Sequence, residues 1–406
     1  MRKTIACVLV GCLLVGSAAS AAEASSAFDH PWDDGAYSTV TAPFCTGGVK
    51  PRNARWIKMQ AEGMKSGICV RAVIQNRPAP VVVILNGIGG RADCAETSLW
   101  MAWLEQQGLH VLTFDSTFLP AMTSASRHGM AGNLVAEADL AARIINACLK
   151  SKELAGKHTS VGVVGMSYGA TQALLLGKLS REGRLPFRLD AVQAYSPPAS
   201  MAEALDIADE AFTYDWKLSD HFWEFYNLQR EYPLRQQHDP QMMRAAVARV
   251  LRMDLGAVVE RNDELFGAEL DQARVRRLLP KNAERDERMN YAEAVNYRQY
   301  LHQIAGPYWQ SRGVGGAAEL LAAGELNTLL RGTASNAEVI LTANDPLNQP
   351  GSVERLARAI RAEACSGWLA RTLGDKPSSL IKAQPVGSRG AQKTSAYSGK
   401  MRSINE

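Results

Sequence analysis

The sequence predicts an α/β fold: a mostly parallel sheet covered by helices on both faces and interrupted by a helical insertion. Three observations predict it. Val81-Val82-Val83-Ile84-Leu85 is a continuous, largely β-branched run, the pattern of a strand buried on both faces. Strand-like and helix-like segments then alternate, which implies parallel strands joined by crossover helices. Finally, Val161 to Gly169 read Val-Gly-Val-Val-Gly-Met-Ser-Tyr-Gly, an apolar strand running straight into G-x-S-x-G.

The elements follow in order. Residues 1–21 have the form of a secretion signal, with Arg2 and Lys3, a short apolar stretch Thr4 to Gly16, and Ala19-Ser20-Ala21 as the cleavage site. The stretch is too short to span a bilayer. Leu9-Val10-Gly11-Cys12 also resembles a lipoprotein cleavage box. A loose polar lead-in over 22–37 precedes strand-like pieces at Ser38–Thr46 and Cys69–Gln75. The strand at 81–85 leads into the loop Asn86-Gly87-Ile88-Gly89-Gly90, then a helix over 93–107 with Asp93 as its cap. Leu109–Asp115 is the next strand. After a long loop comes helix 133–150, with Leu134, Ala138, Ala141 and Ile145 at helical spacing. Val161–Gly165, helix 168–180 and strand Leu189–Tyr195 continue the alternation.

Residues 200–333 are charged, helical in period and without strand signal. They read as an insertion on the scale of a small domain. Glu338–Thr342 resumes the sheet, with helix 352–363 behind it. The core is therefore expected over 22–199 and 334–375, the insertion over 200–333, and a disordered basic tail over 376–406, the texture changing near Cys365. Trp368–Ile381 does not read as a strand and loop.

The chain has 406 residues and a formal charge of +4, unevenly placed. Tail residues 366–406 carry +5 and residues 1–21 carry +2, leaving the body near −3. Such a body does not suit a nucleic-acid partner. Removal of the leader leaves Cys45, Cys69, Cys94, Cys148 and Cys365, none at C-x-x-C spacing, so zinc is not expected. In an oxidising compartment Cys45–Cys69 is the first candidate disulfide, and free buried thiols are the alternative.

The chemistry centres on Ser167. Glycines at 165 and 169 suit a strained turn that lifts a hydroxyl above the sheet. Acyl transfer also needs donors for an oxyanion. The amides of Tyr168, after the serine, and Ile88, in the glycine loop, are the candidates. Gly87-x-Gly89-x-x-Ala92 alternatively matches a loose dinucleotide fingerprint, with Asp115 as the ribose contact. Asp345, in Asn344-Asp345-Pro346-Leu347 after the strand at 338–342, could orient an imidazole, or be a turn residue.

In these motifs, and in their chain order, the sequence resembles the α/β-hydrolase fold superfamily, closest to serine aminopeptidase-type and YheT-like hydrolases. The resemblance covers roughly 70–375. It implies Ser167 as nucleophile, Asp345 as acid, Ile88 and Tyr168 as oxyanion donors and 200–333 as a helical lid. The reaction implied is ester, thioester or amide hydrolysis, with a small-molecule or lipid-like acyl substrate. It implies no metal or organic cofactor, and no integral membrane segment remains after signal removal. A periplasmic or secreted protein is expected.

One departure is plain. The family order is Ser, acid, His, yet no histidine follows His302. Either the C-terminal segment has been altered, by truncation, frame or degeneration, or another histidine substitutes. Of His30, His110, His128, His158, His221, His238 and His302, the best substitute is His128, in the 116–132 loop. The lid aromatics Phe212, Trp216, Phe222, Trp223 and Tyr226 read either as an apolar substrate wall or as lid core. A protein that kept the pocket and lost its base would be a non-catalytic binder on the same scaffold.

Overall fold

A computed structural model describes residues 49–126, 129–212, 248, 251–252, 255–256, 258–259, 295–330, 337–342, 345, 347–349, 351–352 and 369–373. Eight strands form one sheet: β1 (Ala54–Met59), β2 (Ile68–Val73), β3 (Ala79–Leu85), β4 (His110–Thr113), β5 (His158–Met166), β6 (Ala191–Tyr195), β7 (Ala337–Thr342) and β8 (Leu369–Leu373). Their order is β1-β2-β4-β3-β5-β6-β7-β8. β2 is antiparallel to β1 and β4, and every pairing from β4 onward is parallel.

The pleat explains the continuous apolar run of β3. Val81, Val83 and Leu85 join one apolar cluster, and Val82 and Ile84 join another on the opposite face. Helix α1 (Ala95–Gln106) contributes Trp100, Met101 and Leu104 to the second. After the short α2 (Pro120–Ala125), helices α3 (Leu134–Lys150) and α4 (Tyr168–Arg181) contribute Ala138, Ala141, Ile145, Leu174 and Leu176 to the first. The mostly parallel sheet is thus covered by helices on both faces, as the alternation predicts.

The described parts of 200–333 are helical: α5 (Met201–Phe212), α6 (Tyr297–Gln299), a π-helical turn (Tyr300–Ala305), α7 (Gly306–Gln310), α8 (Ala317–Ala322) and α9 (Leu326–Leu330). A third apolar cluster joins Ala208, Tyr297, Tyr300 and Leu301 to Phe118, Met130 and Ala131 of the loop after β4.

Three details differ from expectation. β1 has no sequence signature, because it is an edge strand with only Met59 buried. Asp93 does not cap α1; the cap position is Cys94, whose side chain bonds no helix amide, and Asp93 pairs with Arg91 at 3.3 Å. Leu369–Leu373, which composition reads as unstructured, is β8, paired in register with Glu338–Thr342. There, backbone pairing along an open sheet edge overrides local composition.

Cys69, Cys94 and Cys148 are free thiols, and Cys45 and Cys365 lie outside the described residues. So do the leader, Ser38–Thr46, helix 352–363 beyond Ser352 and the 376–406 tail. Among the described residues no helix is long and apolar enough to cross a membrane.

Helix α3 begins where the sequence places it because Asn133 accepts from the amides of Val135 and Ala136, both at 3.1 Å. Asn133→Ala should therefore cost about 1 kcal/mol in urea unfolding, and Asn133→Asp should retain most of that stability.

Candidate active site

Chain order reverses direction at β3, with β4 on one side and β5 on the other. Loops beyond the carboxyl ends of strands at such a switch point form a crevice. The 86–90 loop leaves β3 there, and Ser167 leaves β5.

Ser167 has φ 52° and ψ −120°, one of two non-glycine residues with positive φ among the described residues. That conformation costs on the order of 1–3 kcal/mol and persists only where the surroundings enforce it. The enforcement is backbone contact. A Cβ on Gly165 would stand 2.1 Å from the Gly169 carbonyl oxygen, and one on Gly169 would stand 2.2 Å from that of Leu85. Strand β5, helix α4 and the end of β3 thus meet without room for side chains. The Ser167 amide donates to the Tyr195 carbonyl at 2.9 Å, and its own carbonyl accepts from Ala170 and opens the helix.

The glycine loop packs on this turn. A Cβ at Gly87 would lie 3.3 Å from Ser167 Cβ and 3.8 Å from its Oγ. Gly90 donates to the Gly87 carbonyl at 3.0 Å, closing a turn that needs Gly89 at φ 72°. Ile88 is at its crown, half-buried against both the sheet cluster and the insertion cluster. Tyr168 is the first residue of α4, where amides have no partner within the helix. Both candidate oxyanion residues thus adjoin Ser167. Asp115 accepts from the Ala92 amide at 2.9 Å and the Gly90 carbonyl accepts from Ser116, so this carboxylate braces the loop instead of facing outward for a ribose.

Asp345 follows β7. Its Oδ1 accepts from the Leu347 amide at 2.9 Å and its carbonyl from that of Asn348 at 3.2 Å, so it builds a turn. Asn348 accepts from Ala199 at 2.8 Å and ties that turn to the start of the insertion. Desolvation pushes the Asp345 carboxyl up to about 6, and only the Leu347 amide opposes this.

The histidines divide. His110 is buried as the first residue of β4; its Nδ1 accepts from the Gln75 amide and its Nε2 meets the Lys157 carbonyl. Burial holds its pKa below the ordinary value, so it is a neutral structural imidazole. His158 opens β5 and contacts the Leu154 carbonyl. Both sit at the strand ends opposite Ser167. His302 is exposed on the π-helical turn, whose buried residues are Tyr300, Leu301, Ile304 and Ala305. His30, His128, His221 and His238 lie outside the described residues. Among the described residues no hydrogen bond joins an imidazole to Ser167, and no group of three or more potential metal ligands occurs.

Behind the elbow is a feature that sequence reasoning missed. Glu137, 5 % exposed, accepts from Thr117 Oγ1 (2.7 Å), Tyr168 Oη (3.0 Å), Gln172 Nε2 (3.2 Å) and the Gly132 amide (2.7 Å). Its signal was a charged residue inside the apolar stripe of Leu134, Ala138 and Ala141. Burial raises its pKa and those four donors oppose the rise.

An apolar cavity of about 30 Å³ lies between the oxyanion residues and the insertion, lined by Ile88, Phe118, Tyr168, Tyr297, Tyr300 and Leu301 among others. Phe118 is its hub, with ring centroids 6.2–6.4 Å from Tyr168, Tyr297 and Tyr300. Of the five aromatics that the sequence offers as a substrate wall or lid core, only Phe212 is among the described residues. Phe212 lies under the Arg252 guanidinium at 4.1 Å, and Trp216, Phe222, Trp223 and Tyr226 lie outside the described residues.

No family model matches the chain, and no curated relative matches its sequence. Among solved structures it is similar to brefeldin A esterase, a bacterial homologue of human hormone-sensitive lipase, at 16 % identity over 88 % of this chain and 81 % of that one, with a TM-score of 0.41. It is similar to an esterase of Pyrococcus furiosus at 14 % identity over 83 % and 91 %, also with a TM-score of 0.41. With Est1E from Butyrivibrio proteoclasticus, at 15 % identity and a TM-score of 0.28, the match covers 41 % of this chain and 59 % of that one. The chain thus spans less than two thirds of that protein.

Gly169→Ala should destabilise the fold by more than about 3 kcal/mol, read by thermal melting, because the obstructing atoms are backbone. Asp345 supplies a pH signature. Its folded pKa of about 6 exceeds the ordinary 3.8, so its protonated form is favoured in the folded state. Its contribution is most favourable below about pH 4 and declines as pH rises to about 6. Urea melts across that window should show Asp345→Asn losing less stability with rising pH than wild type.

Proposed function

We propose that this chain is an exported serine hydrolase that cleaves esters, thioesters or amides of short acyl groups through an acyl-enzyme on Ser167. The observation that carries the reading is the strained Ser167 turn, enforced by backbone contacts and faced by a glycine loop. A strained non-glycine residue at the carboxyl edge of a parallel sheet is costly without a use.

In this mechanism the Ser167 hydroxyl adds to the carbonyl carbon as its proton passes to a base. The amides of Ile88 and Tyr168 stabilise the developing oxyanion. Collapse expels the alcohol, thiol or amine with a proton, and water then releases the acid. His128 is the proposed base, since its loop joins β4 to α3 beside the site. Asp345 is the acid that would orient it. The insertion over 200–333 acts as the lid, its Tyr297 and Tyr300 closing the apolar cavity over the acyl group. Export rests on residues 1–21.

A second reading is a non-catalytic binder. It is favoured by the lack of any histidine after His302, where the resemblance places the base.

Fluorophosphonate labelling of the mature protein decides between them, with Ser167→Ala as control. Labelling that the control abolishes is expected; an unlabelled folded protein would overturn the hydrolase reading. The apolar cavity beside the oxyanion candidates is narrow, about 30 Å³ among the described residues. p-Nitrophenyl acetate and butyrate should therefore be turned over at least about tenfold better, in kcat/KM, than the decanoate.

A further inference from the structure

We propose that Glu137 is a positioning residue of the Ser167 site, holding Tyr168 and its amide in place against the reacting centre. The inference rests on the reading of Ser167 as nucleophile.

Its basis is which segments converge on this one carboxylate. Thr117 lies just after β4 and Gly132 just before α3, so they stand at the two ends of the long loop between them. Tyr168 follows the nucleophile directly, and Gln172 is one turn further along α4. Gln172 also reaches Thr117 Oγ1 and cross-links two of the donors. Glu137 thus joins both ends of the loop to the first two turns of the elbow helix. Three of the four donors meet Oε2 and the Gly132 amide meets Oε1, so both oxygens of the carboxylate are engaged.

Tyr168 is held in the role of donor. Burial, with Glu137 alongside, pushes its phenol well above the ordinary value, so it keeps its proton. Its ring also meets Phe118 edge-on at 6.2 Å and lines the apolar cavity. The side chain of the residue that carries a candidate oxyanion amide is thereby fixed at its far end by Glu137 and along its ring by Phe118. Rotation of that residue would move its amide and the cavity wall together.

A buried carboxylate is a costly way to fill a helix–loop junction. Apolar residues could bind the two elements as tightly, but they would not set the rotation of a tyrosine to a few tenths of an ångström. Directional hydrogen bonds do so, and small misplacements near reacting groups reduce rate strongly.

The test uses full-length mature protein and two probes, fluorophosphonate labelling rate and p-nitrophenyl acetate turnover. Glu137→Gln keeps the shape but turns an amide NH2 toward donors. We expect kcat to fall about tenfold to a hundredfold with KM within about twofold. Tyr168→Phe removes one bond of the network and should lower kcat about threefold to tenfold, again without a KM change. The double variant should be no slower than Glu137→Gln alone, because both act through one contact. Ile144→Ala, a buried change on the same helix, controls for lost stability and should keep wild-type kcat while folded.

If Glu137→Gln does not fold, Tyr168→Phe carries the test by itself. Wild-type kcat in Tyr168→Phe, additive losses in the double variant, or equal losses in Ile144→Ala would each overturn the inference while leaving the nucleophile reading intact. An unlabelled wild-type protein would overturn both.

Discussion

The structure depends on one close approach. Strand β5, the start of helix α4 and the end of β3 meet at a distance that only Gly165 and Gly169 permit. That approach forces Ser167 into positive φ and sets its hydroxyl at the carboxyl edge of the sheet. It also brings the 86–90 loop against the serine, because Leu85 and Asn86 supply the backbone atoms that Gly169 touches. Everything proposed about chemistry follows from this packing, and the strain is borne by the sheet rather than by any side-chain bond to Ser167.

Polar groups behind the elbow complete the frame. Asn86 donates to Thr113 and Phe114 and accepts from Thr97, tying the glycine loop to β4 and α1. Asp115 holds the same loop from its other end. Glu137 does the corresponding work for the loop after β4 and for Tyr168. Each is a side chain that satisfies backbone or hydroxyl groups in a region without regular ladders, where unpaired groups would be costly. The site is thus made of loops held by buried and half-buried polar side chains, and its cavity is walled by aromatic residues from segments distant in sequence.

Much of this was legible in the chain. The β3 run, the alternation of strands and helices and the G-x-S-x-G turn each have local causes: burial on two faces, periodicity and steric need for glycine. The starts of α3 and α4 were legible to within a residue, from apolar spacing and from the turn at Ser167; the Asn133 cap was seen only in the structure. β8 was not legible, because its strand state comes from pairing with β7 and not from its own residues. Asp93 looked like a helix cap, but the helix begins one residue later, with Cys94 at the cap position.

By itself the sequence determined the fold class, the candidate nucleophile and the two oxyanion candidates, because each is encoded within a few adjacent residues. Tertiary structure decided what depends on convergence. It placed His110 and His158 at the strand ends away from Ser167, gave Asp345 a desolvated turn, and made Tyr297 and Tyr300 the cavity wall. It also gathered Thr117, Gly132, Tyr168 and Gln172 around Glu137. No local pattern encodes such meetings, since they arise where elements far apart in the chain are packed together, and burial then sets the charge and direction of each group.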